Sequence, residues 1–329
     1  MRLIQVGLGP MGVRAAAEFL ERDVGPIVGA VDPAHAGRPL RDLVPSAPAE
    51  LRISPDITSL DTTRAQAALV TTASTVPLVF DTLRELLDRK LHVVSSCEEL
   101  SFPWLRHPIM AQSLDQRAIR SRRTVLGTGV NPGYLLDALP VALTGVCREV
   151  RHVEAGRVQN AHGRRIPFLR KIGVGLDLDT YHRERAAGAI GHAGLPESLH
   201  FIAHYLSFQI DRWEETFAPI VAEAERASDL GPIAAGQVAG IHQEARGWTG
   251  DDEVVHLLFR ASVGEPDPKG WVDLEADPPV RCVFPGGVDG DAATTAMLLN
   301  ALGSVREVEP GLRTMADVRP PRAQLRRDG

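Results

Sequence analysis

The stretch MRLIQVGLGPMGV opens the chain, and its glycines constrain what can follow. Leu3, Ile4 and Val6 form a short apolar run suited to a buried parallel strand. Gly7-x-Gly9-x-x-Gly12 comes directly after, then a helical pattern with Val13, Ala16, Ala17 and Leu20 on one face. A second apolar run, Ile27 to Val31, ends on Asp32. Strand, glycine turn, helix, strand and acid in that order are the dinucleotide-binding fingerprint in its expected setting. Gly7 permits the tight turn, Gly9 lets backbone approach a pyrophosphate, and Gly12 lets the helix pack against the strand. Pro10 and Met11 belong to the same cofactor-binding turn, whose helix start presents free N–H groups to phosphate. The alternative is a glycine-rich turn without a ligand.

Asp32 is placed to accept hydrogen bonds from a ribose, which favours NAD. Arg38 and Arg41 follow in the loop, and Arg38 is suited to clamp the 2′-phosphate of NADP; ordinary solvated surface is the other reading of both. Cofactor choice, NADP or NAD, stays open. Ala67 to Thr71 reads as a further strand running into Thr71, Thr72, Ala73 and Ser74, at a carboxyl end where open α/β sheets bind ligands. A helix is expected over residues 75–90, burying Val79, Leu83, Leu86 and Leu87, and a strand over His92 to Ser96. Cys97, Glu98 and Glu99 come next. Adjacent carboxylates at a strand end suit one catalytic acid or base and one capping group; both solvated is the competing reading. Cys97 reads as a small packing residue, with a nucleophile for an aldehyde as the alternative.

Residues 105–121 read as a helix, Thr124 to Gly127 as a strand, and a helical pattern runs through Leu135, Leu136, Leu139 and Leu143. Alternating strands and helices predict a doubly wound Rossmann domain. The glycine- and proline-rich tract around Asn131 marks the handover to a second α+β domain. Partial alternation over Val150–Val158, Glu253–Ser262 and Gly270–Leu274 predicts an antiparallel sheet. Helices are expected near 195–209 and 212–227, and over the alanine- and leucine-rich tract after Asp289. The predicted domains are 1–132, completed by 289–329, and 133–288.

A net charge of -6 over 329 residues gives no electrostatic reason for nucleic acid or an anionic membrane. The 3 cysteines do not make a disulfide framework, and no run approaches the ~20 apolar residues of a membrane helix. A cytoplasmic enzyme with a small-molecule substrate is expected. Arg164, Arg165 and Lys171 lie near Gly173-x-Gly175, suited to a carboxylate or a lid. His192, set between Gly191 and Gly194, reads as a site residue, and His256 as either a core or a pocket histidine. The remaining histidines lack ligand-like spacing, so no metal is expected.

Four blocks, GTGVNPGYLLDALPVALTGVC (127–147), RVQNAHGRRIPFLRKIGVGL (157–176), GHAGLPES (191–198) and GGVDGDAATTAMLLNA (286–301), resemble the 2,4-diaminopentanoate dehydrogenase family. Native amine dehydrogenases belong to that group, and the fold resembles that of dihydrodipicolinate reductase, whose His-His signature this chain lacks. The resemblance implies oxidative deamination of an amine, or reductive amination of a ketone or aldehyde with ammonia, using NAD(P). It implies that Glu98 or Glu99 engages the substrate nitrogen. Ser96 and Asn131 join the expected cofactor residues. Tyr134, Leu139, Phe168, His192, His256 and Thr294 are the expected walls of a mostly apolar substrate pocket. Where family members often carry an acid after the glutamine of the RVQ block, this chain has Asn160, which favours a simple amine over a diamine. The second domain's open sheet face points to a homodimer. The alternatives are a reductase of an amino-acid-derived substrate and an inactive nucleotide-binding sensor.

Overall fold

The computed structural model describes residues 1–323. The chain divides into two compact units, Met1–Tyr134 with the segment from Gly290 on, and Leu135–Asp289. Residues 324–329, the end of the expected 289–329 segment, lie outside the described residues.

The first unit begins with β1 (Leu3–Val6), α1 (Pro10–Glu21), β2 (Ile27–Val31) and β3 (Ile53–Ser54). It continues through β4 (Ala67–Val70), α2 (Val76–Asp88), β5 (His92–Ser95), α3 (Pro108–Ser121) and β6 (Thr124–Gly127). The strands are all-apolar or nearly so, as strands covered on both faces must be. In α1 the buried face is Gly12, Ala15, Ala16 and Phe19, rotated from the predicted one. Close packing of the helix start on the glycine turn selects that face, because Gly12 must point inward. In α2 the predicted residues Val79, Leu83, Leu86 and Leu87 are buried, together with Val76.

In the second unit α4 spans only Ala138–Leu143; Asp137 accepts the Ala138 N–H and starts the helix there, leaving Leu135 and Leu136 as buried turn residues. Then come β7 (Glu149–Asn160), α5 (Ile166–Lys171), α6 (Leu178–Ala186) and α7 (Leu195–Leu206). Five strands follow: β8 (Arg212–Val221), β9 (Val238–Thr249), β10 (Asp252–Ser262), β11 (Lys269–Asp277) and β12 (Val280–Pro285). The chain returns to the first unit with α8 (Gly290–Ser304) and β13 (Gly311–Arg313).

The first sheet has seven strands in the order β13-β6-β5-β4-β1-β2-β3. All its pairings are parallel. The strand order reverses between β1 and β4, and ligands of such sheets bind outside the carboxyl ends at that switch point. The second sheet has six strands, β12-β11-β7-β10-β9-β8. It is mixed: β7 and β10 run parallel, and the other pairs are antiparallel. The short link between β10 and β11 does not make a hairpin, because β7 lies between them. The helix expected near 212–227 is instead edge strand β8. Its partner β9 is distant in sequence, and Pro219 is tolerated at an edge. One face of this sheet buries Val153, Ala155, Ile241, Ala245, Val255, Leu257 and Phe259 with α7. The opposite face carries charged and aromatic side chains. Among the described residues no helix is long and apolar enough to cross a membrane.

Candidate functional site

The first unit assembles its candidate residues at the switch point. Gly7 adopts φ 89°, and its N–H donates to Val31 O at 2.8 Å. A Cβ on Gly12 would stand 2.0 Å from Gly7 O, so the helix start and the turn interlock. Gly9 differs: a Cβ there meets nothing within 4 Å. Gly9 therefore opens a space in front of the α1 N-terminus, where Pro10 leaves no donor at the first position and the following N–H groups remain. The turn is braced from below. The fully buried Gln5 donates to Gly7 O and to Thr71 Oγ1, both at 2.9 Å, and the Thr71 hydroxyl donates to Gly7 O at 3.0 Å. Gln5 escaped the sequence reading; a polar residue inside an otherwise apolar strand was the available signal.

Asp32 accepts from Leu8 N at 2.7 Å with one oxygen and from Ala34 N at 2.9 Å with the other. Its carboxylate is thereby fixed at the end of β2. Arg38 is exposed and faces Asp42 at 3.7 Å. Thr72 is exposed, Ala73 is half-buried, and the Ser96 N–H donates to Val70 O. Met11 Sδ accepts from Thr295 Oγ1 at 3.5 Å, joining α1 to α8.

The two carboxylates after β5 separate. Glu99 Oε2 accepts the Val76 N–H at 2.8 Å and meets His107 Nε2 at 2.9 Å. It caps α2 and anchors the approach to α3. Glu98 opens the short 3-10 turn Glu98–Ser101, and its carbonyl accepts from Ser101 Oγ at 2.8 Å. The turn's backbone abuts Gly127, where a Cβ would lie 2.5 Å from the Leu100 carbonyl carbon. Cys97 is buried, and burial pushes its thiol well above the usual range, with Glu98 and Glu99 adding to the shift. A thiol held protonated is no nucleophile.

Beyond β6, the peptide between Asn131 and Pro132 is cis and Gly133 has φ 121°. Asn131 is buried, and its Oδ1 has no hydrogen-bond partner. Thr294 Oγ1 accepts the Val130 N–H at 3.3 Å, so this residue braces the 127–133 loop. The open space at Gly9, the fixed Asp32 carboxylate and the orphaned Asn131 oxygen fit a dinucleotide with polar groups along its length. Tyr134 is half-buried at the end of this unit.

The second unit gathers polar side chains on the covered face of its sheet. Arg157 and Gln159 of β7 are buried; Arg157 Nη2 donates to Val288 O at 2.9 Å. Arg164 donates to Gln159 Oε1 at 2.6 Å and lies 4.3 Å over the Phe168 ring. His192 meets Phe259 edge-on at 4.4 Å. Gln243 of β9, fully buried, bonds the His192 backbone. Leu139 is half-buried in α4. Neither Arg157 nor Gln243 was singled out as a site residue from the sequence.

His256 does not join this group. It sits on the opposite face, 3.4 Å from Glu244 Oε2, in a network where His242 and Arg246 also meet Glu244. Alternation decides this: Phe259, at odd spacing from His256, takes the covered face. Asn160 is also turned away from the covered face. It is exposed and accepts from His162 N and Gly264 N. Among the described residues no three His, Cys, Asp or Glu are grouped to hold a metal ion.

Residues 134–328 match the 2,4-diaminopentanoate dehydrogenase C-terminal domain family. The chain belongs to this family. It is 29% identical to the 2,4-diaminopentanoate dehydrogenase of Acetoanaerobium sticklandii, over 98% of this chain and 94% of that protein. In structure it resembles an amine dehydrogenase from Mycobacterium smegmatis, with a TM-score of 0.85 at 21% identity, covering 98% of this chain and 97% of that one. A UDP-N-acetylglucosamine 3-dehydrogenase from Acidithiobacillus ferrooxidans shares the fold at a TM-score of 0.54 and 14% identity, over 96% and 92% of the two chains. Family, fold and glycine turn agree on an NAD(P)-dependent oxidoreductase.

Proposed function

We propose that this protein is an amine dehydrogenase, converting an amine to a ketone or aldehyde and ammonia, and running the reverse reductive amination. The observation that carries the reading is the match to the 2,4-diaminopentanoate dehydrogenase family, joined by a pair of carboxylates at the carboxyl end of β5. Glu98 and Glu99 stand together just past the carboxyl end of β5; Glu99 holds the Val76 N–H and His107, and Glu98 is our candidate for the substrate nitrogen. When bound, NAD(P) takes up or supplies the hydride. The chain's own residues do the rest. Gly9 and the α1 N-terminus seat the pyrophosphate, and Asp32 takes the ribose. Glu98 stabilises the positive charge on the iminium nitrogen as it develops, and moves the proton that carbinolamine dehydration requires. Both cofactors are accepted: Asp32 repels a 2′-phosphate, and Arg38 offsets that repulsion.

The outer face of the six-stranded sheet, with Trp248, Trp271 and Leu258 set among ion pairs, is the proposed homodimer surface. Trp271 lies flat over Gly156, where a Cβ would stand 2.1 Å from its ring, and it donates to Glu154. Such a flat surface suits a second copy. A sedimentation mass of one 35.6 kDa chain at micromolar concentration would refute the dimer.

A panel tests the activity. Oxidation of NADH and NADPH is followed with ketones, aldehydes and 2-oxo acids, with and without ammonium, beside oxidation of 2,4-diaminopentanoate. Ammonia-dependent turnover of ketones or aldehydes supports the proposal. Turnover independent of ammonium, or none in either direction, overturns it.

A further inference from the structure

Helix α6 holds itself together and is held only lightly to the rest of its unit. Asp177 caps its start, accepting the Thr180 N–H at 2.8 Å. Arg183 and Arg185 stand in its last turn, where cations suit the helix dipole. At its end the Gly188 N–H donates to Arg185 O and the Ala189 N–H to Glu184 O, both at 3.0 Å. All these bonds stay within residues 177–190. Among the described residues, no hydrogen bond or ion pair runs from this segment to the rest of the chain.

Two buried side chains attach it, Tyr181 and Ile190. Ile190 is next to the end of the segment, so Tyr181 is the anchor of the helix itself. It is the only buried residue of α6, and its ring lies against Gly173, where a Cβ would come within 2.8 Å. One further contact is half-buried: the Arg185 guanidinium lies 3.4 Å over the Phe217 ring. As an anchor Tyr181 is imperfect. Its hydroxyl is buried with no hydrogen-bond partner, so docking strips water from a donor without a compensating bond.

The two ends, by contrast, are tied. The Gly175 N–H donates to Val238 O and the Val238 N–H to Leu176 O, both at 2.8 Å, which fastens the near end to β9. At the far end the Gly191 N–H donates to Lys171 O at 3.0 Å. Gly175 has φ 84° and Gly191 has φ 134°, so both ends turn at residues whose backbone moves at little steric cost. A self-capped helix between two glycines, with one imperfect anchor, has the make-up of a lid.

It stands at the edge of the covered sheet face. Phe217 of β8 pairs with Gln243 of β9, Gln243 with Phe259 of β10, and Phe259 with Arg157 of β7. Residues directly opposite each other project to the same side of a sheet, so these four make one row across the face. Arg185 closes the Phe217 end of that row.

We propose that residues 177–190 form a flap that opens as one unit about Gly175 and Gly191, latched by Tyr181 and Arg185 and kept easy to open by the unpartnered Tyr181 hydroxyl, and that its opening uncovers the Phe217 end of the Phe217–Gln243–Phe259–Arg157 row. The flap does not depend on which reaction the protein catalyses.

Amide hydrogen exchange of the full-length protein, read by mass spectrometry, tests the opening, with α7 of the same unit as reference. Amides over 177–190 should exchange together, about a hundredfold or more faster than those of α7 once intrinsic rates are removed. Arg185→Ala should speed their exchange about fivefold and Tyr181→Ala about tenfold or more, with α7 unmoved. Tyr181→Phe should slow it about tenfold, because the uncompensated hydroxyl is gone. Tryptic cleavage after Arg183 in the native protein should follow the same order. Hydroxyl-radical oxidation of Phe217 should rise in Tyr181→Ala and fall in Tyr181→Phe.

Protection equal to that of α7 overturns the proposal, as does exchange that spreads inward from one end. A parallel rise in α7 would make Tyr181 an ordinary core residue and overturn it too. An unmoved rate in folded Tyr181→Phe removes the hydroxyl's role, and Phe217 oxidation that ignores the latch removes the uncovering of the row; either result overturns the proposal as stated. If Tyr181→Ala does not fold, Arg185→Ala and Tyr181→Phe decide.

Discussion

In the Met1–Tyr134 unit the candidate residues lie on short consecutive stretches, each just past the carboxyl end of a parallel strand. In the Leu135–Asp289 unit they come from β7, the 191–194 turn and the β9–β10 pair, three places far apart in the chain. The first unit repeats one local grammar, strand then turn then helix, and each turn delivers its side chains to the same edge. The second unit delivers side chains by pairing distant strands, so a residue's function depends on which face of a sheet it takes. Local motifs therefore identify a site in the first unit, whereas in the second only register does.

The sharpest test of this contrast lies within the glycine turn itself. Gly9→Val should abolish NAD(P)H binding while leaving the melting temperature nearly unchanged, because its side chain enters open space. Gly12→Ala should instead cost stability, about 1–3 kcal/mol or more, because its Cβ meets Gly7 O at 2.0 Å. Cofactor fluorescence titration beside a thermal melt separates the two. Tight cofactor binding by Gly9→Val would remove the turn from the site.

Next in size is the carboxylate pair. Glu98→Gln should lower amination about a hundredfold or more, with cofactor affinity and melting temperature almost unmoved. Glu99→Gln should keep most of the activity but lose stability, roughly 1 kcal/mol for a weakened helix cap. Steady-state kinetics and melts on both variants decide it, and an active Glu98→Gln would end the proposed mechanism.

A smaller effect is expected at the ribose. Asp32→Ala should shift preference toward NADP by about tenfold, the scale of one screened charge repulsion. It should also loosen the turn, since Leu8 and Ala34 lose their acceptor. Arg38→Ala should shift preference toward NAD. Ratios of kcat/KM for the two cofactors that stay at the parent value would place both residues outside the ribose site.

The smallest effect compares the two units in acid. His92 is held neutral in the first unit: burial, then the Arg123 and Arg306 charges, push its pKa from the usual 6.5 to about 4, and its Nδ1 accepts the Thr124 N–H. Its contribution is present above about 6.5 and is lost as pH falls toward 4. Glu244 in the second unit is pushed up by burial, but hydrogen bonds from His242 and Arg246 and the charges of Arg246 and His256 outweigh this and bring it to about 2. Its contribution is present above about 4.5 and is lost as pH falls toward 2. His92→Asn should flatten the upper part of the melting-temperature profile by about a few degrees, and Glu244→Gln the lower part. Profiles parallel to the parent's would show that neither group is linked to folding.

What could be read from the chain alone follows the same division. The order of β1, the glycine turn, α1, β2 and Asp32 is fixed by steric and apolar demands acting over a few residues, so the residues state it directly. The buried leucines of α2 are legible for the same reason. The Glu98–Glu99 tract announces a carboxylate site, yet only the tertiary structure assigns Glu99 to Val76 and His107, because both partners lie outside the tract. In the second unit, strand β8 reads as a helix until β9 pairs with it, and β7 separates β10 from β11 in a way no neighbouring residue signals. The faces taken by Gln243 and His256 are set by strand register with β7 and β8, and His192 is held by Gln243 from far along the chain. Short-range sterics are written residue by residue; hydrogen-bond register exists only once the partner strand has arrived.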